Sequence, residues 1–438
     1  MAPLATDTYS SCPISDSPPP SPVYSSEGRG RLKITRTFRN GESAVETLTP
    51  AHAHGVADRE LYRSRSSVSV AWPDGARTIL VIATPHSRPA VSRIPRLARY
   101  LVNEKNLKVL VDGILRSKLE IQEGLEEGLV EYYTKKDLIC EAAGNNLEKR
   151  VDLVICLGGD GLILHVASRL FPRAVPPIMP FNMGSMGFLT PFHFNDYRRD
   201  IGAVLSGENN TMTLRMRLQC NIKRYKIPLG DLTKSPCVRN FSNDELREEE
   251  HDPDAQVEEY HVLNEIVIDR GPAPYLSNLE VLCDDCPVTR VQADGLIIGT
   301  PTGSTAYSLS SGGSMVHPSV PAILFTPICP HSLSFRPVLF PSHVTLQVKV
   351  PKDARAGAWA SFDGRHRVEL RRGDSVIIKV SRWSVPTFSK KDTTRDWFAS
   401  VSNCLRWNER VVQKPLEMDA NAVDDAAVAE SMERFQLK

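Results

Sequence analysis

Between Thr78 and Leu157 the apolar residues come in short unbroken runs, whereas after Gly207 they fall at every second position. This change of period is the strongest constraint the sequence places on its fold. An unbroken run such as Ile79-Leu80-Val81-Ile82 suits a strand buried on both faces of a parallel sheet. Leu107, Val109 and Val111, and then Val151 to Leu157, read the same way, and the helical stretch from Val91 to Val102 serves as a crossover. Leu214, Met216 and Leu218 alternate with Arg215 and Arg217, and Val344, Leu346, Val348 and Val350 alternate with Thr345, Gln347 and Lys349. That pattern belongs to sheet with one face packed and the other wet. Val262 to Ile268, Leu279 to Leu282, Ala358 to Phe362 and Ser375 to Val380 are further strands. The expected fold is an α/β N-terminal domain with a parallel sheet, residues 76–195, and a β-rich C-terminal domain, residues 196–390.

A chain of 438 residues exceeds one compact core, and 41% hydrophobic residues suffice for two, with a cleft between them for a small molecule. Residues 1–75 read as a largely disordered extension. Their run Ser15-Asp16-Ser17-Pro18-Pro19-Pro20-Ser21-Pro22 sustains neither helix nor central strand. Ser17 and Ser21 precede proline, and Ser64, Ser66 and Ser67 lie beside arginines, so a phosphorylation-dependent regulator is one use of this segment. An unmodified solvated tail is the other. Like charges from Asp244 to Asp254 mark an acidic surface loop within 239–258. Residues 391–410 form a terminal helix: Thr393 and Asp396 read as a capping box, and the stripe Trp397, Val401, Leu405 docks on the body. Residues 411–438 are a flexible acidic tail.

A formal charge of +1 supplies no whole-chain field for nucleic acid or an anionic membrane. Nine scattered cysteines do not make a secreted disulfide framework and fit a reducing compartment. No apolar run is long enough to span a bilayer, and the opening lacks a secretory layout. A cytoplasmic protein is expected. An organellar transit peptide is the alternative, favoured by the serine-rich opening and opposed by Asp7, Asp16 and Glu27.

The sharpest local constellation is Gly158-Gly159-Asp160-Gly161, set between the Val151 to Leu157 strand and the periodic run Leu162, Ile163, Val166, Leu170. Glycines here let backbone amides approach a ligand, and the following helix turns its positive end to phosphate. Asp160 then stands where a polyphosphate meets a hydroxyl, oriented to accept its proton. A structural turn in which Asp160 only caps a helix is the competing reading. The motif has neither the lysine ending of a nucleotide-triphosphatase loop nor the glycine fingerprint of a dehydrogenase.

The stretch from Asp294 to Tyr307 leads an apolar strand into Gly299-Thr300-Pro301-Thr302-Gly303-Ser304-Thr305-Ala306-Tyr307. Its hydroxyls suit phosphate or ribose oxygens. Tyr307 is placed to cover a base, beside the small Ala306 and with Ser310 one turn on; a core position for Tyr307 is the bland alternative. Asn264-Glu265 interrupts an apolar strand and needs polar partners, a ribose diol or solvent. Phe362-Asp363-Gly364 is a hairpin turn, from which no function follows by itself. Cys283 and Cys286 have zinc-like spacing without a second ligand pair, so the metal ligands are unassigned.

Taken together, Gly158 to Gly161, the run Asn182-Met183-Gly184-Ser185-Met186-Gly187-Phe188-Leu189, Leu263-Asn264-Glu265, and Asp294 through Tyr307 resemble the NAD kinase family. The run from Ser308 to Pro337 is similar to its eukaryotic branch, and the likeness spans roughly residues 76–410. It implies a two-domain fold with NAD in the cleft, a homo-oligomer (dimer or tetramer), and phosphoryl transfer from ATP, with Mg2+, to the 2'-hydroxyl of the adenosine ribose. By position it makes Asp160 the catalytic carboxylate. Gly158, Gly159 and Gly161 serve the nucleotide and Phe188 the adenosine pocket. Asn264 and Asp294 orient the substrate, with Glu265 as their polar neighbour. Thr305, Ala306, Tyr307 and Ser310 contact adenine, and Asp363 joins the pocket. A lipid kinase with a related glycine-aspartate site needs an acyl pocket that these polar groups do not suit. A non-catalytic NAD(P)-binding regulator differs by binding without turnover.

Overall fold

A computed structural model of the chain describes residues 32–37, 43–48, 67–72, 75–134, 147–184, 186–208, 211–225 and 258–409. The serines at 17, 21, 64 and 66, the acidic loop from Asp244 to Asp254 and the tail from 411 lie outside the described residues.

The parallel part of the first sheet forms where the sequence has its unbroken apolar runs. Strands Thr78–Ala83, Lys108–Asp112 and Glu131–Tyr133 lie on one side of Leu153–Leu157, and Ile178–Asn182 on the other, all parallel. Ile79, Leu80, Leu153 and Ile178 have no exposed surface, as strands covered on both faces require. The expected helix from Val91 to Val102 is two pieces, Arg88–Val91 and Ile94–Arg99, the second running on through a wider turn at Tyr100–Glu104. Pro95 accounts for the restart, since its missing N–H costs nothing in a first helical turn.

Order begins earlier than the proline-rich opening implies. Leu32–Thr37, Ser43–Leu48 and Ser67–Ala71 are antiparallel strands that extend the same sheet, the last pairing with Thr211–Arg215. The alternation Leu32/Ile34 and Val68/Val70 is the period-two signal behind them.

The strand expected across Leu214 to Leu218 is also two. Thr211–Arg215 stays in the first sheet beside Val385–Phe388, whereas Leu218–Lys223 opens the second body. Between them Arg217 is fully buried. Its guanidinium donates to the carbonyls of Trp383 at 2.6 Å and Ala167 at 2.7 Å, and also to those of Phe171, Pro172 and Arg173. A buried cation is tolerated because carbonyls at the end of the preceding helical segment take up its donors.

The second body is two six-stranded antiparallel sheets. Ile266, Leu296 and Ile298 from one and Val281, Leu346 and Val376 from the other share a single apolar core. Val262 to Ile268 is not continuous. Glu258–Val262 belongs to one sheet and Glu265–Asp269 to the other, and the chain crosses at Leu263-Asn264. At 362–365 the hairpin is as expected, with Asp363 and Gly364 at positive φ of 48° and 69°. No helix among the described residues is long and apolar enough to cross a membrane.

Candidate functional site

Asp160 stands at the carboxyl edge of Leu153–Leu157 as the first residue of helix Asp160–His165. One carboxylate oxygen accepts the Phe188 N–H at 2.9 Å and the other the Leu189 N–H at 3.0 Å. Two amides leave lone pairs on both oxygens for a further donor. Gly187 is obligatory there, because a Cβ would collide with the Asp160 carboxylate. A Cβ on Gly159 or Gly161 would instead meet no protein atom, so the space those glycines keep clear lies outside the protein. Gly158 packs closely on Leu162 and Thr84. Phe188 is half-buried beside this turn.

The Leu263-Asn264-Glu265 crossing is clamped on both sides. Asp363 accepts the N–H groups of Leu263, Asn264 and Glu265 at 2.9, 2.8 and 3.2 Å. Thr300 donates its hydroxyl to the Leu263 carbonyl at 2.6 Å and its amide to the Asn264 carbonyl at 2.8 Å. Gly303 leans on the Asn264 backbone so closely that any side chain would overlap it. With its backbone committed, Asn264 keeps its half-exposed side-chain amide for something else.

Burial raises the Asp363 carboxyl to about 6 against the pull of its three amide donors. Glu265 is pushed further, to about 8, by burial and then by the Asp363 charge, and its Oε2 has no hydrogen-bond partner among the described residues.

The two halves meet here. Leu263 packs with Leu162, Ile163 and Leu189 in one apolar cluster, and Arg365 reaches His165 at 3.3 Å. The turn that holds Asp160 and Phe188 and the crossing that holds Asn264, Glu265 and Asp363 are thus joined through one apolar cluster.

The others are spread along the Thr300 loop and the strand before it. Thr305 donates to the Thr302 carbonyl at 3.3 Å, Ala306 precedes helix Tyr307–Ser310, and Tyr307 and Ser310 face solvent. Asp294 pairs with Arg270 at 2.9 Å at the far end of strand Gly295–Gly299. Five residues at ~3.4 Å each put roughly 17 Å between Asp294 and the Asn264 crossing. A ligand touching both must be extended.

Sequence reasoning missed Arg215. It lies in the first sheet, Nε donating to Thr387 Oγ1 at 2.9 Å, and lines a small cavity with Phe188, Asp396, Trp397 and Ser400. Burial lowers it to about 10, countered by Asp160 and Asp396 nearby, so it remains a cation at neutral pH. The signal was absent because Arg215 reads as the wet half of an alternating strand. Cys283 and Cys286 face each other across a tight turn formed by Asp284 and Asp285, and the described residues contain no cluster of three metal-binding side chains.

A glycine-flanked carboxylate at the edge of a parallel sheet, packed through a shared apolar cluster against a β-sandwich, is the architecture of a two-domain nucleotide-binding protein. The ATP-NAD kinase N-terminal domain model matches residues 79–209 and the C-terminal domain model residues 263–389, and the chain belongs to the NAD kinase family. A chloroplastic NAD kinase of Arabidopsis thaliana is 45% identical over 79% of this chain, which spans only 32% of that protein. An uncharacterized kinase of Schizosaccharomyces pombe is 36% identical over 76% of this chain and 80% of its own length. The crystal structure of yeast NADH kinase complexed with NADH superposes with a TM-score of 0.64 at 28% identity, covering 80% of this chain and 93% of that one.

Proposed function

We propose that the protein transfers the γ-phosphoryl group of ATP to the 2'-hydroxyl of the adenosine ribose of NAD, forming NADP and ADP. The observation that carries this reading is Asp160. It is fixed by two amides on a glycine-flanked turn, and the Asn264 crossing, its backbone clamped from both sides, shares the apolar cluster that joins the two halves. The names of its relatives, NAD kinase and NADH kinase, supply the substrate class.

In the proposed step Asp160 holds the ribose hydroxyl and accepts its proton. The oxygen forms a bond to the γ-phosphorus as the β–γ bridging bond breaks, and that bond's electron pair stays on ADP. Asn264 takes a ribose hydroxyl, while Thr305, Ala306, Tyr307 and Ser310 serve the base and Asp294 the far end of the dinucleotide. Arg215 supplies positive charge beside Asp160. Among the described residues Asp160 belongs to no cluster of three metal-binding side chains, which fits Mg2+ arriving with its ATP substrate. A cytoplasmic homo-oligomer is part of the same proposal.

The test is direct: purified protein is given NAD, NADH and MgATP in separate combinations, and the phosphorylated product is identified. NADP formation supports the reading, and tight dinucleotide binding without turnover contradicts it.

A further inference from the structure

We propose that the terminal helix Thr393–Leu405 is a working part of the transfer site, with Ser400 as a positioning residue for Asp160. The inference rests on the phosphoryl-transfer reading above, and the helix lies beyond residue 389, where the match to the C-terminal domain model ends.

Asp160 is only as well fixed as the peptide that supplies its two amides. The described residues of that peptide, 183–184 and 186–189, have no regular secondary structure and include Gly184 and Gly187. Its inner face is held by Asp160 and by Thr190, whose hydroxyl accepts the Gly187 N–H at 3.0 Å. Its outer face is held by the helix. Ser400, buried at 2% exposure, donates to the Gly187 carbonyl at 3.2 Å, and the Cys404 thiol to the Met186 carbonyl at 3.2 Å. A serine inside a helix ordinarily returns its hydroxyl to the preceding turn. Here it is directed outward, onto the residue immediately before the two amides that bind Asp160.

The helix is itself anchored. Asp392 caps it through the Arg395 N–H at 2.8 Å, Thr393 Oγ1 meets Thr213 Oγ1 at 2.6 Å, and Asp396 takes the Lys390 N–H at 2.6 Å. The sequence-based capping box is thereby corrected: Asp392 is the cap, and Thr393 is freed to fasten the helix to the first sheet. Of the expected stripe, Val401 is buried, Trp397 half-buried and Leu405 39% exposed. Docking therefore turns on the Ser400-Val401 face.

The experiment uses the full chain. Ser400→Ala is expected to lower kcat on the order of tenfold through a small misplacement of the carboxylate. Its KM for NAD should stay within about threefold, because the substrate contacts remain. Hydrogen exchange at the Phe188 and Leu189 amides should quicken. In an Asp160→Asn background the same change should shift residual kcat by less than about twofold, since its partner in the cycle is gone. Ser402→Ala, on the exposed face, is the control and should leave all readouts unchanged. Should Ser400→Ala not fold, Cys404→Ala carries the exchange and kcat readings. Unchanged kcat and exchange, or an effect fully additive with Asp160→Asn, overturns the proposal. If the unaltered chain does not phosphorylate NAD, the functional reading falls alone. The exchange result then still decides the helix's role: quickening supports it and no change overturns it.

Discussion

Asp363 and Asn264 lie 99 positions apart, yet the Asp363 carboxylate accepts the Asn264 N–H at 2.8 Å and the two neighbouring amides besides. The hairpin tip is thus the clamp that presents Asn264. Asp363→Asn has one acceptor oxygen in place of two and leaves at least one buried amide unmatched, a loss of about 1–3 kcal/mol. Denaturant unfolding should show that loss, and KM for NAD should rise as the Asn264 turn loosens.

Glu265 makes stability depend on pH. Its carboxyl is raised from 4.5 to about 8 in the fold, so across that window the native state holds a proton the unfolded chain has released. Stability from this group is full below about pH 4.5 and is lost as pH rises toward 8. Asp363 adds the same sign between 3.8 and about 6. Glu265→Gln should flatten the decline, making the variant the more stable protein at pH 8 by a few kcal/mol, on the order of the ~1.4 kcal/mol per unit of pKa that linkage gives. Urea midpoints of ligand-free protein at pH 5 and pH 8 measure it; identical slopes for both proteins would count against a neutral Glu265.

Arg215 is assigned charge compensation beside Asp160. Arg215→Ala should lower kcat by roughly 10- to 1000-fold, as loss of one preorganised charge does, with a smaller change in KM for NAD. Arg215→Lys should recover part of the rate. A fall in thermal stability with kcat intact would make Arg215 a structural partner of Thr387 and Asp396 only.

Tyr307 is 44% exposed at the start of its short helix, which removes the core alternative. Tyr307→Ala should weaken NAD binding by about 1–3 kcal/mol while the protein stays folded, and Tyr307→Phe should be much milder. Calorimetric titration with NAD, with a melting curve as control, separates these; unchanged affinity in folded Tyr307→Ala would remove the base-stacking role.

The parallel strands were legible because burial on both faces writes itself as Ile79 to Ile82 and Leu153 to Leu157. The glycine-aspartate turn was legible because three glycines around one carboxylate directly follow a buried strand, although around Gly159 and Gly161 the protein itself leaves open space. Breaks inside apolar runs were not. Leu263-Asn264 continues the local pattern on either side, and only the distant Asp363 and Thr300 show why the chain crosses between sheets there. Arg215 and Arg217 look alike in the sequence, two charges in an alternating strand. One is buried on carbonyls and the other lies beside the glycine-aspartate turn, a difference set by the helical segment ending at 170 and by the terminal helix. Period-two alternation in Leu32–Thr37 and Ser67–Ala71 is short and lies within a segment whose opening is rich in proline and serine, so composition masks it.

Asp160 is proposed to take the proton of the ribose hydroxyl, and Asp160→Asn probes that role. The amide keeps the size of the side chain and one acceptor while removing the base. With NAD and MgATP supplied to purified protein, the unaltered chain should form NADP and the variant should lose more than about a hundredfold in turnover, with NAD affinity held within roughly tenfold. A folded Asp160→Asn protein that retains more than about a tenth of normal turnover would contradict that role.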